Sequence, residues 1–388
     1  KEKMKKGYPI GFRLTWAKFS SEKIIPIANE LRKADLLTPV TLSVQSLDET
    51  TLDIIKRENI KFDKFSELTE TFKKNNIPTY TEIIRGLPGE TLESFKKGLE
   101  TIAKTQISTT YIYNCVVMPN APMNYPEYRE KYKLKSIRSP VFLQHSPKDD
   151  RGIQEYENIL IETSSYSLND LKQMYRFSWV IQTFHSFGIL EYLAKYYSKT
   201  HGVSLMIFYE SVLEYCRTNN TLFSKEYDLL EKHIDDGYSG KGWAHYDSNL
   251  GDLSWPFEEA SVARFLRLEN DVLFNEIKQF AQFLENKINC CSKPGILNDL
   301  IKFQIFLLTL RQYLGKVKSE EFLFDWKSYF VDESKIIQNS KIFHYQNQIT
   351  EPDPIKWIWE VVWFGHKEIK YKFNPAFLDE TTALTTVN

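Results

Sequence analysis

The stretch TEIIRGLPGET, residues 81–91, joins an apolar strand-like segment, a Gly-Leu-Pro-Gly turn and the start of a helical pattern. A glycine at the end of a strand lets a ligand approach the backbone, because no side chain blocks it. Thr91 can cap the following helix, whose free N–H groups then face the same side. The pattern therefore indicates a ligand-binding junction. The alternative is an ordinary strand–turn–helix connection with a surface glutamate.

Strands and helices alternate on both sides of this stretch. The sequence predicts strands at residues 8–15, 40–44, 79–84 and 109–118, and helices at residues 49–59, 66–75 and 92–104. Successive strands start about 30 to 40 residues apart, which is typical of parallel strands joined by crossover helices. The expected fold class is α/β, either half of a (β/α) barrel or part of an open doubly wound sheet.

The pattern changes after Pro122. Residues 124–150 are polar and punctuated by prolines, and residues 138–150 within them are expected to form a loop. Long helical patterns follow at residues 168–199, 203–216, 257–286, 295–314 and 319–329. We expect a half-barrel at residues 1–125, a linker with a helical extension at 126–255, and a helical domain at 256–388. That domain is expected to end in a short strand pair, residues 341–349 and 367–373.

The composition of the chain argues against several classes of protein. A net charge of −1 gives no electrostatic basis for binding nucleic acid. No apolar run reaches the about 20 residues that a membrane helix needs. The four cysteines, Cys115, Cys216, Cys290 and Cys291, have neither disulfide nor metal-binding spacing. That pattern favours a reducing, cytoplasmic compartment.

Two motifs together carry a family resemblance. SVQSLDETTLDIIKR, residues 43–57, followed by YTEIIRGLPGETLESF, residues 80–95, resembles the second half of the radical SAM barrel. The branch is the one shared by coproporphyrinogen dehydrogenases, methylthiotransferases and cobalamin-binding radical SAM proteins, and the match covers residues 8–122. Residues 119–140 and 177–190 resemble the C-terminal extension of cobalamin-binding members. The implied fold is a partial (β/α) barrel of radical SAM type, followed by a mainly α-helical C-terminal region.

The resemblance implies a set of S-adenosylmethionine contacts. Gln45 and Arg57 match the strand-tip glutamine and the following arginine, which contact the ribose and the carboxylate. Glu82 matches an acidic residue that contacts the ribose, Gly86 matches a glycine that borders the adenine, and Ser43 is a further pocket-lining candidate. The chemistry agrees, since a guanidinium suits a carboxylate and a carboxylate suits a diol. The alternative for Arg57 is a charge on a helix surface.

One family feature is absent from the sequence. Radical SAM enzymes hold a 4Fe–4S cluster on three cysteines, typically spaced CxxxCxxC, and the chain contains no such motif. The cluster and a cobalamin are therefore expected only from a missing N-terminal part, which is a further domain or an N-terminal partner chain. The sequence itself assigns no metal ligand and no catalytic residue.

Three functions remain open at this point. The leading hypothesis is the S-adenosylmethionine-binding portion of a cobalamin-dependent radical SAM enzyme, which generates a 5′-deoxyadenosyl radical or transfers a methyl group. The first alternative is a non-catalytic or degenerate half-barrel partner protein that has lost the cluster motif. The second is an unrelated parallel-sheet enzyme with a sugar or nucleotide substrate. Tyr113, Asn114 and Asn120, near the end of the last predicted strand, are candidate substrate contacts.

Overall fold

The computed structural model describes residues 5–8, 23–34, 36, 39–105, 107–148, 152–308, 310, 314–332, 334–346 and 349–364. The chain divides into two compact units: the first comprises Lys1–Gln182, Leu230–Ala244 and Lys367–Ile369, and the second Thr183–Leu229, His245–His366 and Lys370–Asn388. Apart from Tyr8, the expected first strand at residues 8–15 lies outside the described residues, as does the expected last strand at 367–373. The three-part division expected from the sequence stays a prediction.

Helices and short strands alternate along the described residues. The helices are α1 (Ile24–Lys33), α2 (Glu49–Ile54), α3 (Phe62–Lys74), α4 (Leu92–Ala103), α5 (Pro126–Lys131), α6 (Leu168–Val180), α7 (Glu191–His201), α8 (Leu205–Thr218), α9 (Leu222–Asp236), α10 (Phe257–Phe265), α11 (Asn270–Ile288), α12 (Pro294–Phe306), α13 (Trp326–Val331) and α14 (Pro354–Ile358). The strands are β1 (Val40–Thr41), β2 (Thr79–Arg85), β3 (Thr109–Asn114), β4 (Lys135–Pro140), β5 (Tyr156–Glu162), β6 (His245–Tyr246), β7 (Ser254–Trp255), β8 (Val317–Phe322) and β9 (Lys341–Gln346).

The central sheet of the first unit is parallel. Strands β1, β2 and β3 lie side by side in that order, with Thr41 paired to Tyr80 and Tyr80 paired to Thr109. Helices α2 and α3 connect β1 to β2, and α4 connects β2 to β3. The α/β class is confirmed, whereas the described residues form a three-stranded sheet and show no barrel.

The helix after the Gly-Leu-Pro-Gly turn begins where the sequence predicts. The Thr91 side chain accepts a hydrogen bond from the Ser94 N–H at 3.0 Å, and the Thr91 N–H donates to Ser94 Oγ at 2.9 Å. This reciprocal arrangement is a capping box. Phe95, Leu99 and Ile102 bury one face of α4, and α4 packs against α6. The cap therefore fixes the start of the helix directly behind the turn.

The two faces of β2 differ in exposure. Alternate residues of Thr79–Arg85 are buried, and those between them, Tyr80, Glu82 and Ile84, are half-buried. Successive side chains of a strand point to opposite faces of the sheet. One face of β2 is therefore buried, and Glu82 lies on the face that is partly open.

The loop expected at residues 138–150 begins inside strand β4, Lys135–Pro140. β4 pairs antiparallel with β5, and Val116, just after β3, bridges to Ile159 of β5. The Arg138 guanidinium lies 3.9 Å from the ring centroid of Tyr156, a favourable cation–π contact. The loop prediction is wrong for residues 138–140, because pairing with a distant strand, and not the local composition, sets their conformation.

The second unit is mainly helical, as expected. Its core is rich in aromatic side chains: Phe303 and Trp326 are buried, and the Phe303 ring stacks on Phe330 at 6.0 Å. Residues 319–325 do not form the start of the predicted helix, because β8 pairs with β9 and α13 begins only at Trp326. None of the described helices combines the length and the apolarity that a membrane span requires.

Candidate functional site

A hollow of about 900 Å³ lies at the C-terminal edge of the parallel sheet. Its volume is in the range of small-molecule sites, and ligands of α/β sheets bind outside the C-terminal ends of the strands. The polar part of the lining is formed by Gln45, Lys56, Arg57, Glu58, Tyr113 and Asn114. The apolar part is formed by Ile55, Ile84, Leu87, Cys115, Val116, Met118 and Met123.

Gln45 reaches this hollow through an irregularity in the edge of the sheet. Thr41 pairs with Tyr80, but Gln45 pairs with Ile83, so the first strand carries an extra residue over this stretch. Both main-chain groups of Gln45 hydrogen-bond to β2 at 2.9 Å, and its φ is +59°. A left-handed conformation is uncommon for glutamine, and an inserted residue re-aims a side chain next to a site. The backbone is therefore strained where the side chain meets the hollow.

Replacing Gln45 with glycine is expected to give a more stable chain than replacing it with alanine. Glycine takes a positive φ without strain, whereas alanine keeps the cost. After the greater freedom of glycine in the unfolded state is counted, the difference is about 0.5–1 kcal/mol. Urea denaturation of the two full-length variants measures it. A glycine variant that is less stable than the alanine variant would show that the backbone stores no strain at this residue.

Arg57 lines the hollow beside the end of β1. Its Nη2 donates to the Ser43 carbonyl at 3.4 Å, and its Nε donates to Oδ1 of Asn59 at 3.3 Å. Asn59 in turn donates to the Ser46 carbonyl at 2.6 Å. A guanidinium carries five N–H groups. The three that do not take part in these two hydrogen bonds have no acceptor among the described residues. Such a guanidinium can form a paired hydrogen bond with a carboxylate.

Glu82 lies near enough to Arg57 for their charges to interact. Burial lowers the pKa of the Arg57 guanidinium, and the Glu82 carboxylate opposes that shift. Glu82 is half-buried on the same face of β2 as Ile84, which lines the hollow, but Glu82 is not itself a lining residue. Ser43 takes part through its main-chain carbonyl and is not a lining residue. Gln45, Arg57 and Glu82 thus meet at one edge of the sheet, and their role in binding stays a prediction.

Gly86 packs against protein and not against the hollow. The Tyr166 hydroxyl donates to the Gly86 carbonyl at 2.7 Å, and Leu87 takes the lining position. The φ of Gly86 is +82°, and a Cβ there would lie 2.8 Å from Leu171 Cδ1 and 3.0 Å from the Tyr166 hydroxyl oxygen. The local reason for a glycine is therefore this close packing. The expected place of Gly86 beside an adenine stays a prediction.

Replacing Gly86 with alanine is expected to lower the free energy of unfolding by about 2 kcal/mol, because positive φ and crowding both oppose a Cβ. Gly98→Ala is the matched control. Gly98 lies inside α4, where a Cβ would meet Leu47 at 3.8 Å, an ordinary contact. That change is expected to raise stability by about 0.5–1 kcal/mol. Denaturation curves that move the same way for both variants would refute the packing argument.

The sequence motifs did not indicate that Glu90, beside the Gly-Leu-Pro-Gly turn, is a buried carboxyl group. Glu90 is 2% exposed, and the Ser46 hydroxyl donates to its Oε1 at 2.8 Å. Its Oε2 has no hydrogen-bond partner among the described residues. Burial raises the pKa of Glu90 to about 8, opposed by the Ser46 hydroxyl and the Gly86 N–H and helped by Asp48. Glu90 therefore connects the turn to Ser46, in the segment after β1, and its carboxyl group is mainly protonated at pH 7.

The described residues do not fit an iron–sulfur cluster. Cys115 and Cys216 are buried, and burial raises the pKa of both thiols, whereas a metal ligand must be a thiolate. Cys290 and Cys291 are adjacent in sequence. Within the ranges that the structure describes, no group of three or more Cys, His, Asp or Glu side chains could hold a metal ion. No cluster ligand is therefore assigned to this part of the chain.

Two known methyltransferases are similar to the chain. It is 26% identical over 338 residues to the cobalamin-dependent radical SAM methyltransferase TokK of Streptomyces tokunonensis. It is 27% identical over 346 residues to the 2-(S-pantetheinyl)-carbapenam-3-carboxylate methyltransferase of Streptantibioticus cattleyicolor. Each match covers 84% of this chain. The chain is related to the cobalamin-binding radical SAM family.

The relationship confirms the resemblance seen in residues 43–57 and 80–95, although no model of a protein family matches the chain. Radical SAM relatives imply S-adenosylmethionine, a 4Fe–4S cluster and cobalamin as the cofactors of the family. The matched span is 49% of each relative, so the chain spans about half the length of the curated relatives it matches.

Proposed function

We propose that this chain is the S-adenosylmethionine-binding portion of a cobalamin-dependent radical SAM methyltransferase. The observation that carries the proposal is the meeting of Gln45, Arg57 and Glu82 at the C-terminal edge of a parallel sheet, beside a hollow of about 900 Å³. Similarity to two methyltransferases supports the reaction class.

The lining of the hollow suits the two ends of this ligand. Lys56, Arg57 and Glu58 place both signs of charge on one part of the wall, which fits the amino and carboxylate groups of a methionine moiety. Met118 and Met123 supply apolar, polarisable surface on the other part, which fits a nucleobase. The ligand would thus lie with its amino-acid end beside β1.

Each of the three polar groups has a separate role in this proposal. Arg57 binds the carboxylate through its free N–H groups. Glu82 accepts hydrogen bonds from the ribose hydroxyls, and Gln45 contributes an amide held by the irregular end of the first strand. Since Arg57 is tied to Ser43 and Asn59, it is oriented before the ligand arrives.

The cluster and cobalamin of the family have no ligand set among the described residues. We therefore assign no step of the reaction to these residues beyond binding and orienting S-adenosylmethionine. We further propose that polypeptide outside these residues, either another domain or a partner chain, supplies both groups. The compartment proposed from the reduced cysteines is the cytoplasm.

Calorimetry with the full 388-residue chain tests the proposal. S-adenosylmethionine and S-adenosylhomocysteine are expected to bind at one site, and Glu82→Gln is expected to weaken both about tenfold through loss of a charged hydrogen bond. Glu93→Gln, an exposed residue of α4, is the matched control and should leave binding unchanged. Absence of binding at millimolar ligand would overturn the proposal.

The alternative of a non-catalytic half-barrel partner is not favoured. Both relatives are methyltransferases, and the match to each extends over 84% of this chain, well beyond the two motifs. A protein that had lost its chemistry would have no reason to retain the strained Gln45 backbone at the edge of the hollow.

A further inference from the structure

The backbone around Gln45 forms a tight turn directly after the first strand of the sheet. The Ser46 N–H donates to the Val44 carbonyl at 2.7 Å, and the φ of Gln45 between them is +59°. This hydrogen bond around a left-handed residue is typical of the strained form of the γ-turn, which is rare in proteins. Such a conformation persists only where the surrounding structure fixes it. The contacts of Ser46 therefore help to keep Gln45 in place beside the hollow.

Ser46 is held on its buried side by Glu90, and both residues are only 2% exposed. The Ser46 hydroxyl donates to Glu90 Oε1 at 2.8 Å. The same hydroxyl accepts from the Asp48 N–H at 3.2 Å, and the Asp48 side chain caps α2. The Glu90 carboxyl group also accepts from the Gly86 N–H. One carboxyl group thus joins the end of the first strand to the turn after β2.

The turn that carries Glu90 is itself fixed by other contacts. The Tyr166 hydroxyl donates to the Gly86 carbonyl at 2.7 Å, and the Gly89 N–H donates to Ser165 Oγ at 3.1 Å. Immediately after Glu90, the capping box at Thr91 begins α4. The turn therefore keeps its position independently of Ser46, and Glu90 can hold Ser46 against it.

Ser46 connects onward to Arg57 through a single amide group. Asn59 Nδ2 donates to the Ser46 carbonyl at 2.6 Å, and Arg57 Nε donates to Asn59 Oδ1 at 3.3 Å. A guanidinium has donors only, so the amide oxygen must face Arg57 and the amide nitrogen must face Ser46. The orientation of Arg57 therefore depends on the position of Ser46, and that position depends on Glu90.

We propose that Glu90 is a positioning residue of the ligand site: its carboxyl group holds Ser46, and through Ser46 and Asn59 it orients Arg57 toward the carboxylate of the bound ligand. The inference rests on the proposed function and extends it to a residue outside the hollow. Glu90 is not one of the residues that line the hollow, so its effect on binding is indirect.

The protonation state of Glu90 is compatible with this role. Burial raises the pKa of Glu90 to about 8, so the group is mainly uncharged at pH 7. An uncharged carboxyl group can be buried without a cation beside it, and its carbonyl oxygen still accepts from Ser46. Glutamine has an acceptor oxygen at the same place in its side chain, and we therefore expect it to replace Glu90 in the positioning role.

Calorimetry of the full 388-residue chain with two probes, S-adenosylhomocysteine and 5′-methylthioadenosine, tests the inference. Glu90→Ala removes the acceptor for Ser46, so affinity for S-adenosylhomocysteine is expected to fall about tenfold. The second probe lacks the carboxylate that Arg57 binds, so its affinity is expected to change less than about threefold. Glu90→Gln is expected to keep both affinities within about twofold of those of the unaltered chain.

Glu100→Ala is the matched control. Glu100 is a second buried glutamate, 8% exposed, and lies in α4, where it pairs with Lys104 at 3.0 Å. Its loss is expected to lower the melting temperature and to leave the affinity for both probes unchanged.

Ser46→Ala breaks the same connection from its other end. This variant is expected to lose as much affinity for S-adenosylhomocysteine as Glu90→Ala does. The double variant is expected to lose no more than either single variant, because both changes remove one shared interaction. Additive losses would show that Glu90 does not act through Ser46, which would overturn the inference.

The other outcomes are also distinct. If the unaltered chain binds both probes and Glu90→Ala binds S-adenosylhomocysteine equally well, the inference is overturned and the proposed function stands. Equal losses for the two probes, or a Glu90→Gln variant as weak as Glu90→Ala, would also overturn the inference. If the unaltered chain binds neither probe, the proposed function fails and the inference fails with it.

Discussion

Replacing Arg57 with methionine is expected to weaken binding of S-adenosylmethionine to the chain about 100-fold, because a paired hydrogen bond to a carboxylate contributes about 2–3 kcal/mol. Binding of 5′-methylthioadenosine, which has no carboxylate, is expected to change less than about twofold. Methionine keeps the unbranched apolar stem of the side chain, is two atoms shorter, and removes the charge and the donors. Calorimetry with both ligands gives the comparison.

Arg57→Lys is the matched control for charge. A lysine retains the cation without the planar pair of donors, so a loss of about tenfold is expected. The measurement with 5′-methylthioadenosine detects an indirect structural effect of the substitution. Such an effect must be separated from loss of the carboxylate contact, because Arg57 also hydrogen-bonds to the Ser43 carbonyl and to Asn59. Equal losses for both ligands would mean that Arg57 only supports the loop after α2, and its proposed contact with the carboxylate would be rejected.

Replacing Glu90 with glutamine is expected to remove a large pH dependence of stability. The pKa of Glu90 is about 8 in the folded chain against an ordinary 4.5, so the folded state keeps a proton that the unfolded state releases between those values. Stability from this group is full below the lower value, falls as the pH rises and stops falling above about 8. At about 1.4 kcal/mol per pH unit, the loss between pH 5 and pH 7.5 is on the order of 3 kcal/mol.

Urea denaturation at several pH values measures this effect as the difference between the parent chain and Glu90→Gln. Glu93→Gln, on the exposed side of α4, is the matched control, and its curve should run parallel to the parent. Between pH 5 and pH 7.5 the Glu90→Gln variant should lose clearly less stability than the parent. Parallel curves for all three proteins would show that Glu90 is ionised in the fold, contrary to its burial.

Local signals predicted the first unit well where they agree with tertiary packing. Thr91 begins α4 because a threonine, an N3 serine and a periodic apolar face all favour the same start. The parallel strands followed from the length of the strand–helix units. Residues 135–140 were missed because β4 is polar and proline-flanked, and only its pairing with β5 makes it a strand.

Two helix boundaries in the second unit were predicted wrongly, for a different reason. Residues 257–286 read as one helix, but α10 ends at Phe265 and α11 begins at Asn270. Residues 319–325 were predicted as the start of a helix, whereas β8 buries Lys318 and Phe322 on one side of a strand. Both errors arise because propensity is a weak prior that tertiary contacts override.

The positions of the candidate site residues in the fold were predictable in part, whereas their role in binding stays a prediction. Gln45, Arg57 and Glu82 were found from motif matches, and the structure places them at one edge of the sheet. The positive φ of Gln45 has no sequence signal, because it follows from an extra residue in pairing with β2. Burial of Glu90 was equally hidden, since its partner Ser46 is 44 residues away and glutamate is usually exposed.

The position of the Leu230–Ala244 segment in the chain affects the design of truncated forms of the protein. It belongs to the first unit although Thr183–Leu229 of the second unit intervenes. A fragment ending at Gln182 would lack Trp243, which stacks on Tyr175, and Tyr238, which bonds Asn114. A shortened protein that ends before this segment is therefore expected to lose these two contacts within the first unit.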